Sequence, residues 1–201
     1  MSIPAYVTGI FSKGVHTETA ATIIQENIPG SDGNRIALNH LLYSNQGTAH
    51  TLSFMYPGDR AGCRTTASAD AAISQAVLNV TDAPVDPAGN AVASGDVIAY
   101  ETSDGWEFNT VSSLSTKAIT LGTNIASPVL AGAKVRVFGI AADKACQQAA
   151  LAASVVTELG DGNGIYFIQP EYCRGDPVVV QSNNATAAGT LQNLIALYLK
   201  K

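Results

Sequence analysis

The chain has 201 residues, with 11 Lys and Arg against 16 Asp and Glu, for a formal net charge of −5. Charged residues make up 13% of it, about half the ~25% of ordinary globular domains. No Lys/Arg block is present, so the electrostatic footprint of nucleic-acid binding is missing and an anionic membrane surface is disfavoured. No apolar run approaches the ~20 residues of a membrane span.

The polar exterior must therefore come from Ser, Thr, Asn and Gln. Such a surface is weakly solvated and suits a protein covered by neighbours, although an ordinary low-charge β protein has it too. The segment Met1-Ser2-Ile3-Pro4 has neither a basic region nor an apolar run after it, so no secretory signal is expected. Cys63, Cys146 and Cys173 are far apart and form no C-x-x-C, which argues for buried free thiols over a zinc site or disulfide framework.

Residues 1–33 differ in texture from the rest. Gly9, Gly14, Pro4 and Pro29 punctuate them, and Gly30-Ser31-Asp32-Gly33 closes them with a turn signal. They read as an arm, or as early strands, packing on the body or on a neighbour, with residues 34–201 as the β-rich domain. Ile36–Tyr43 and Thr48–Tyr56 flank Ser44-Asn45-Gln46-Gly47 as in a hairpin. Residues 61–76 mix strand and helix signals; Val77–Thr81 reads as a strand and Asp82–Asn90 as a loop.

Val97–Thr102 and Trp106–Val111 flank Ser103-Asp104-Gly105. A three-residue loop there pairs Tyr100 with Phe108 and makes one face consistently apolar, so that register is expected. Ala118–Leu121 and Val135–Phe138 are further strands, the latter half exposed because Val135 and Val137 alternate with Lys134 and Arg136. Ala141–Leu159 is the one helix candidate, with Asp143 as N-cap, Gly160 past its end, and Cys146, Ala149, Ala150, Ala153 and Val156 near helical spacing. Ile165–Ile168, Val178–Gln181 and the apolar run Thr190–Leu199 complete the chain. Ser44-Asn45 … Thr48-Ala49 … Thr51-Leu52 is echoed by Ser182-Asn183 … Thr186-Ala187 … Thr190-Leu191, either as two equivalent hairpins or as shared turn vocabulary. The pattern predicts a mainly β fold: an antiparallel β-sandwich or barrel-like domain with one short Ala-rich helix.

The search for chemistry finds little. His40 and His50 fall on the two expected hairpin strands, but their spacing is no established ligand pattern. Cys173 sits beside Arg174, without a defined base. No G-x-S-x-G, phosphate-binding loop or EF-hand spacing occurs, and turn chemistry accounts for the scattered aspartates. Arg174-Gly175-Asp176 spells an adhesion tripeptide, and a turn before Pro177 explains it equally well. No catalytic residue, cofactor or metal is expected, and the chain reads as a non-enzyme.

Leu41-Leu42-Tyr43-Ser44-Asn45-Gln46-Gly47-Thr48-Ala49-His50-Thr51-Leu52 resembles segments of small tailed-bacteriophage virion proteins. So does Gly95-Asp96-Val97-Ile98-Ala99-Tyr100 followed by Asp104-Gly105-Trp106. The likeness covers residues 34–140 loosely, and the class most similar is the capsid decoration or cement proteins. That resemblance implies a structural protein, made in the host cytoplasm and carried on the capsid surface. Its partners would be the major capsid protein and copies of itself, in a homo-oligomer for which family analogy suggests a trimer. It also implies bridging by strand addition, for which Ser2–Gln25 and Thr190–Leu199 are the candidates, through Tyr6, Ile10, Phe11, Ile23, Leu194, Leu197 and Tyr198. The alternative is a tail-fibre or adhesin module binding a host glycan on an aromatic shelf of Trp106, Tyr100 and Tyr172.

Overall fold

The computed structural model describes residues 7–14, 16–18, 25–45, 49–139, 148–152, 154, 156–160, 167–169, 171–182 and 189–200. The chain is mainly β with antiparallel sheets. Its strands are β1 (Val7–Lys13), β2 (His16–Glu18), β3 (Gln25–Ile28), β4 (Arg35–Asn45), β5 (His50–Pro57), β6 (Arg64–Thr66), β7 (Val77–Asn79) and β8 (Val97–Thr102). They continue as β9 (Gly105–Ser115), β10 (Ala118–Leu121), β11 (Lys134–Gly139), β12 (Gln148–Leu151), β13 (Val156–Leu159), β14 (Phe167–Ile168), β15 (Val178–Ser182) and β16 (Gly189–Leu199). One short 3₁₀ turn spans Glu171–Cys173.

Two compact units form. The first comprises Met1–Met55 and Ala145–Lys201, the second Tyr56–Lys144. The division does not fall at residue 33, because β1 and β2 pair with β16 and β3 pairs with β15, which ties residues 7–28 to the C-terminal strands.

The first unit holds two sheets in a sandwich-like arrangement. One has the order β1-β16-β4-β13, with β2 also on β16 and β14 on β4. The other runs β3-β15-β5, with β12 on the far side of β5. Both sheets bury β-branched, aromatic and leucine side chains: Ile36, Leu38, Leu41, Tyr43 and Leu194 from the first, Ile28, Leu52, Phe54, Val178 and Val179 from the second.

The expected hairpin over residues 36–56 does not form. β4 and β5 belong to different sheets, and Ser44 and Asn45 are the last residues of β4 rather than a turn. In the echo, Ser182 ends β15 and Asn183–Ala187 lie outside the described residues, while β15 and β16 again belong to different sheets. β4 pairs β16 and β5 pairs β15, which sets Asn45 opposite Gly189 and Leu52 opposite Ser182. The buried Asn45 amide donates to the Ala152 carbonyl at 2.7 Å.

The expected helix is absent as well: its described residues form β12 and β13, while Asp143 and Cys146 lie outside the described residues. Small, Ala-rich residues have good helix propensity, but at β12 the competing gain is pairing with the buried β5. Gly160 follows the strand β13 rather than a helix. Its φ is +76°, and a Cβ there would stand 2.5 Å from the Asn39 carbonyl oxygen, where β4 carries an extra residue.

The second unit closes on itself. Its strands pair in the order β6-β11-β8-β9-β10-β7, and Ala67 of the β6 end bridges Val80 of the β7 end. Ser68 N–H donates to Asn79 O and Thr81 N–H to Thr66 O, each at 2.9 Å. The result is a small six-stranded antiparallel barrel whose interior is filled by side chains. Its core includes Leu78, Val80, Ile98, Tyr100, Val111, Ile119, Leu121, Val135 and Val137.

The β8–β9 hairpin takes a register one residue from the expected one: Tyr100 faces Glu107, Ala99 faces Phe108 and Thr102 faces Gly105. The expectation assumed one buried face, whereas Val97, Ile98, Ala99 and Tyr100 are all buried. Alternation therefore carries no information there. Arg136 is only 7% exposed and its guanidinium donates to the Thr65 and Val135 carbonyls, so β11 is buried on both faces too.

The observed register builds a polar network. Tyr100 O–H donates to Glu107 at 2.7 Å, Asn109 Nδ2 donates to the Tyr100 hydroxyl, and the Glu107 carboxylate also accepts from Ala126 N–H and Ser127 N–H. Burial, then the Glu107 charge, pushes the Tyr100 hydroxyl far above its ordinary 10.0. Unfolded chains lose this proton near pH 10 while the folded barrel keeps it, so the contribution is complete below pH 10 and falls as pH rises beyond it. We expect base-induced unfolding to begin above about pH 10 and to weaken in Tyr100→Phe. Circular dichroism between pH 8 and pH 12, roughly the span over which tyrosines titrate, checks this. Identical profiles for the two proteins would refute it.

Candidate assembly surface

The strands β1 and β16 bring together five of the residues singled out from the sequence. Ile10 stands opposite Leu197, Phe11 opposite Ala196, Lys13 opposite Leu194 and Gly9 opposite Tyr198. Directly paired residues share a sheet face. Leu194 and Ala196 are buried, so their row faces the core, and Ile10 with Leu197 lies on the other face. Ile10 is 53% exposed and Leu197 half-buried.

Two expectations about these residues need correction. The run Thr190–Leu199 is not a free terminal strand: β16 is paired on both sides, by β1 and β2 on one and by β4 on the other. Leucines at both parities of β16 reflect an inner strand with apolar neighbours on each face, not an open edge. Leu194, 0% exposed, is a core residue. Tyr6 and Ile23 lie outside the described residues.

Among the described residues, β1 and β13 are the margins of this sheet. Gly9 leaves room for the Tyr198 ring, since a Cβ there would stand 3.2 Å from Tyr198 Cδ2. Tyr198 O–H donates to Pro29 O at 3.0 Å, and burial raises its pKa. Thr8 is an extra residue between the Val7 and Gly9 pairings, and its hydroxyl donates to Tyr198 O. Lys13 reaches the buried Glu26 carboxylate at 3.6 Å. At the opposite margin, Val156 of β13 is 55% exposed.

The chemical candidates dissolve on inspection. His40 Nε2 lies 2.8 Å from Glu158 Oε1, and Asn193 Nδ2 lies 3.1 Å from His40 Nδ1, so both ring nitrogens are engaged. His40 and His50 are on strands of different sheets, and no group of three or more potential metal ligands exists among the described residues. In the Asp82–Asn90 loop, Asp86 accepts from Asn90 N–H at 2.8 Å and Asn90 Nδ2 at 3.1 Å. Burial alone would raise this carboxyl, yet the Asn90, Gly89 and Ala88 donors hold it below its ordinary value. Its lone pairs therefore serve the loop.

Cys173 is buried, and Arg174 pairs with Glu171 at 2.7 Å. Asp176 is 1% exposed, so the adhesion tripeptide is not presented. Tyr100 is fully buried and unavailable to a glycan shelf. A depression of about 520 Å³ on the barrel is lined by Ser68, Asn79, Thr81, Ser115 and Lys117 among others, with no carboxylate or histidine. No helix among the described residues is long and apolar enough to cross a membrane.

Burial raises the Cys63 thiol pKa, and its Sγ donates to Asp86 O at 3.3 Å. In a Cys146→Ser background we expect alkylation by an uncharged reagent at neutral pH to run at least ~100-fold slower in the native than in the denatured protein. Equal rates, read by mass spectrometry, would show that Cys63 or Cys173 is accessible.

Comparison with protein-family models, curated proteins and solved structures returned no match.

Proposed function

We propose that the protein is a structural component of a tailed-phage virion that binds the outer surface of the major capsid protein lattice and stabilises the shell. The observation that carries this reading is the β1 margin, paired among the described residues only with β16 and displaying the exposed Ile10. An open edge offers unpaired backbone donors and acceptors, a template for strand addition. The barrel removes its own edges by closing, whereas the sandwich-like unit keeps strand margins among its described residues, β1 one of them, and that contrast suits a unit whose edge is taken by another chain.

The low charge supports the same reading, because a surface of Ser, Thr, Asn and Gln loses little hydration when covered. Each contact need not be strong. A lattice holds neighbouring sites at high effective concentration, so modest patches add to a large avidity. The resemblance of residues 34–140 to decoration proteins supplies the identity of the partner.

Imaging of intact particles tests this. Density for the chain on the outer capsid face, lost on high-salt or denaturant washing with the shell intact, is the expected result. Density confined to the tail or the interior would overturn it, as would turnover of a small metabolite by the isolated chain.

A further inference from the structure

We propose that β1 pairs with β1 of a second copy across a two-fold axis at Ile10, so that the chain assembles as a dimer through one continuous sheet. The proposal deepens the assembly reading and rests on it for the use of this edge. Antiparallel self-pairing centred on Ile10 sets Ile10 opposite the second copy's Ile10, Gly9 opposite its Phe11, and Thr8 opposite its Ser12.

The strand is self-complementary in that register. On the outer face, Ile10 and Leu197 of each copy form one apolar row of four side chains, which covers the most exposed aliphatic residue of β1. On the inner face, each Phe11 falls opposite the second copy's Gly9, over which that copy's own Tyr198 ring lies. The charges agree as well. Lys13 comes opposite Val7, and the two lysines stand about 20 Å apart along the strands, beyond the ~8–10 Å screening length at physiological salt. A two-fold axis closes the contact at two copies.

The pairing is short and its area falls below the ~800 Å² per partner of a standard interface. Dimerisation should therefore depend on concentration. Light scattering coupled to gel filtration should read the 20.7 kDa chain mass in dilute solution, rising toward twice that value at roughly 100 μM, in keeping with a sub-standard patch. Ile10→Asp, which sets two carboxylates face to face, should stay at the single-chain mass with an unchanged circular dichroism spectrum. In a Cys146→Ser background, Ile10→Cys should give a disulfide-linked dimer on mild oxidation. Ser12→Cys alone should not, because Thr8 opposes it.

A wild-type chain that stays at single mass, or Ile10→Asp that still dimerises, overturns the proposal. Cross-linking by Ser12→Cys but not Ile10→Cys overturns the register. Sedimentation with capsid shells separates this idea from the one it rests on. A monomeric chain that still coats shells loses only the self-pairing, and if Ile10→Asp then fails to coat them, the edge belongs to the capsid partner. A dimer that ignores shells retains the self-pairing and loses the decoration role.

Discussion

Expressed alone, residues 56–139 should fold into a stable barrel. The two ends of this segment are already paired, Pro57 with Phe138 and Tyr56 with Gly139, so excision leaves no strand waiting for a distant partner. Adjacent termini and a private core mark segments that tolerate separation. The core runs through every sheet strand of the closed order except β6, where Ala67 takes its place beside Val80. A calorimetric scan should show one cooperative transition with an enthalpy of about 60 kcal/mol, as expected for roughly 85 residues. Poor chemical-shift dispersion with no transition would show that the unit depends on the rest of the chain.

The second large effect lies on β16, where residues three apart differ in fate. Leu194→Ala should destabilise the sandwich-like unit by about 3 kcal/mol, because a fully buried leucine leaves both lost transfer energy and a cavity. Leu197→Ala, on the half-buried outer face, should cost under ~1.5 kcal/mol. Urea unfolding monitored by circular dichroism separates the two. Equal losses would mean that the face assignment of β1 and β16 is wrong. If self-pairing at Ile10 holds, Leu197→Ala should also weaken the dimer, while Leu194→Ala should act on stability alone.

The strands near Val97–Thr102, Trp106–Val111, Ala118–Leu121 and Val135–Phe138 were legible because β-branched and aromatic residues cluster there between turn residues. Legibility failed where both faces of a strand are buried. Alternation then disappears, which is why the register at Tyr100 and the exposure of Arg136 were misread. It failed again at β12 and β13, where helical spacing of alanines is a local preference overridden by pairing with β5 and β4. Ile10, Phe11, Leu197 and Tyr198 were legible as apolar residues at the two ends of the chain. That they face one another, and that Leu194 beside them belongs to the core, was not.

Composition and turn chemistry by themselves determined the β class, the low charge content and most strand positions, because each depends on a residue and its near neighbours. Sheet membership, the closure of the barrel at Ala67 and Val80, and the position of β1 at a sheet margin among the described residues were decided by tertiary structure. Those features join residues tens to nearly two hundred positions apart, and backbone hydrogen bonding across such distances is indifferent to which side chains lie between.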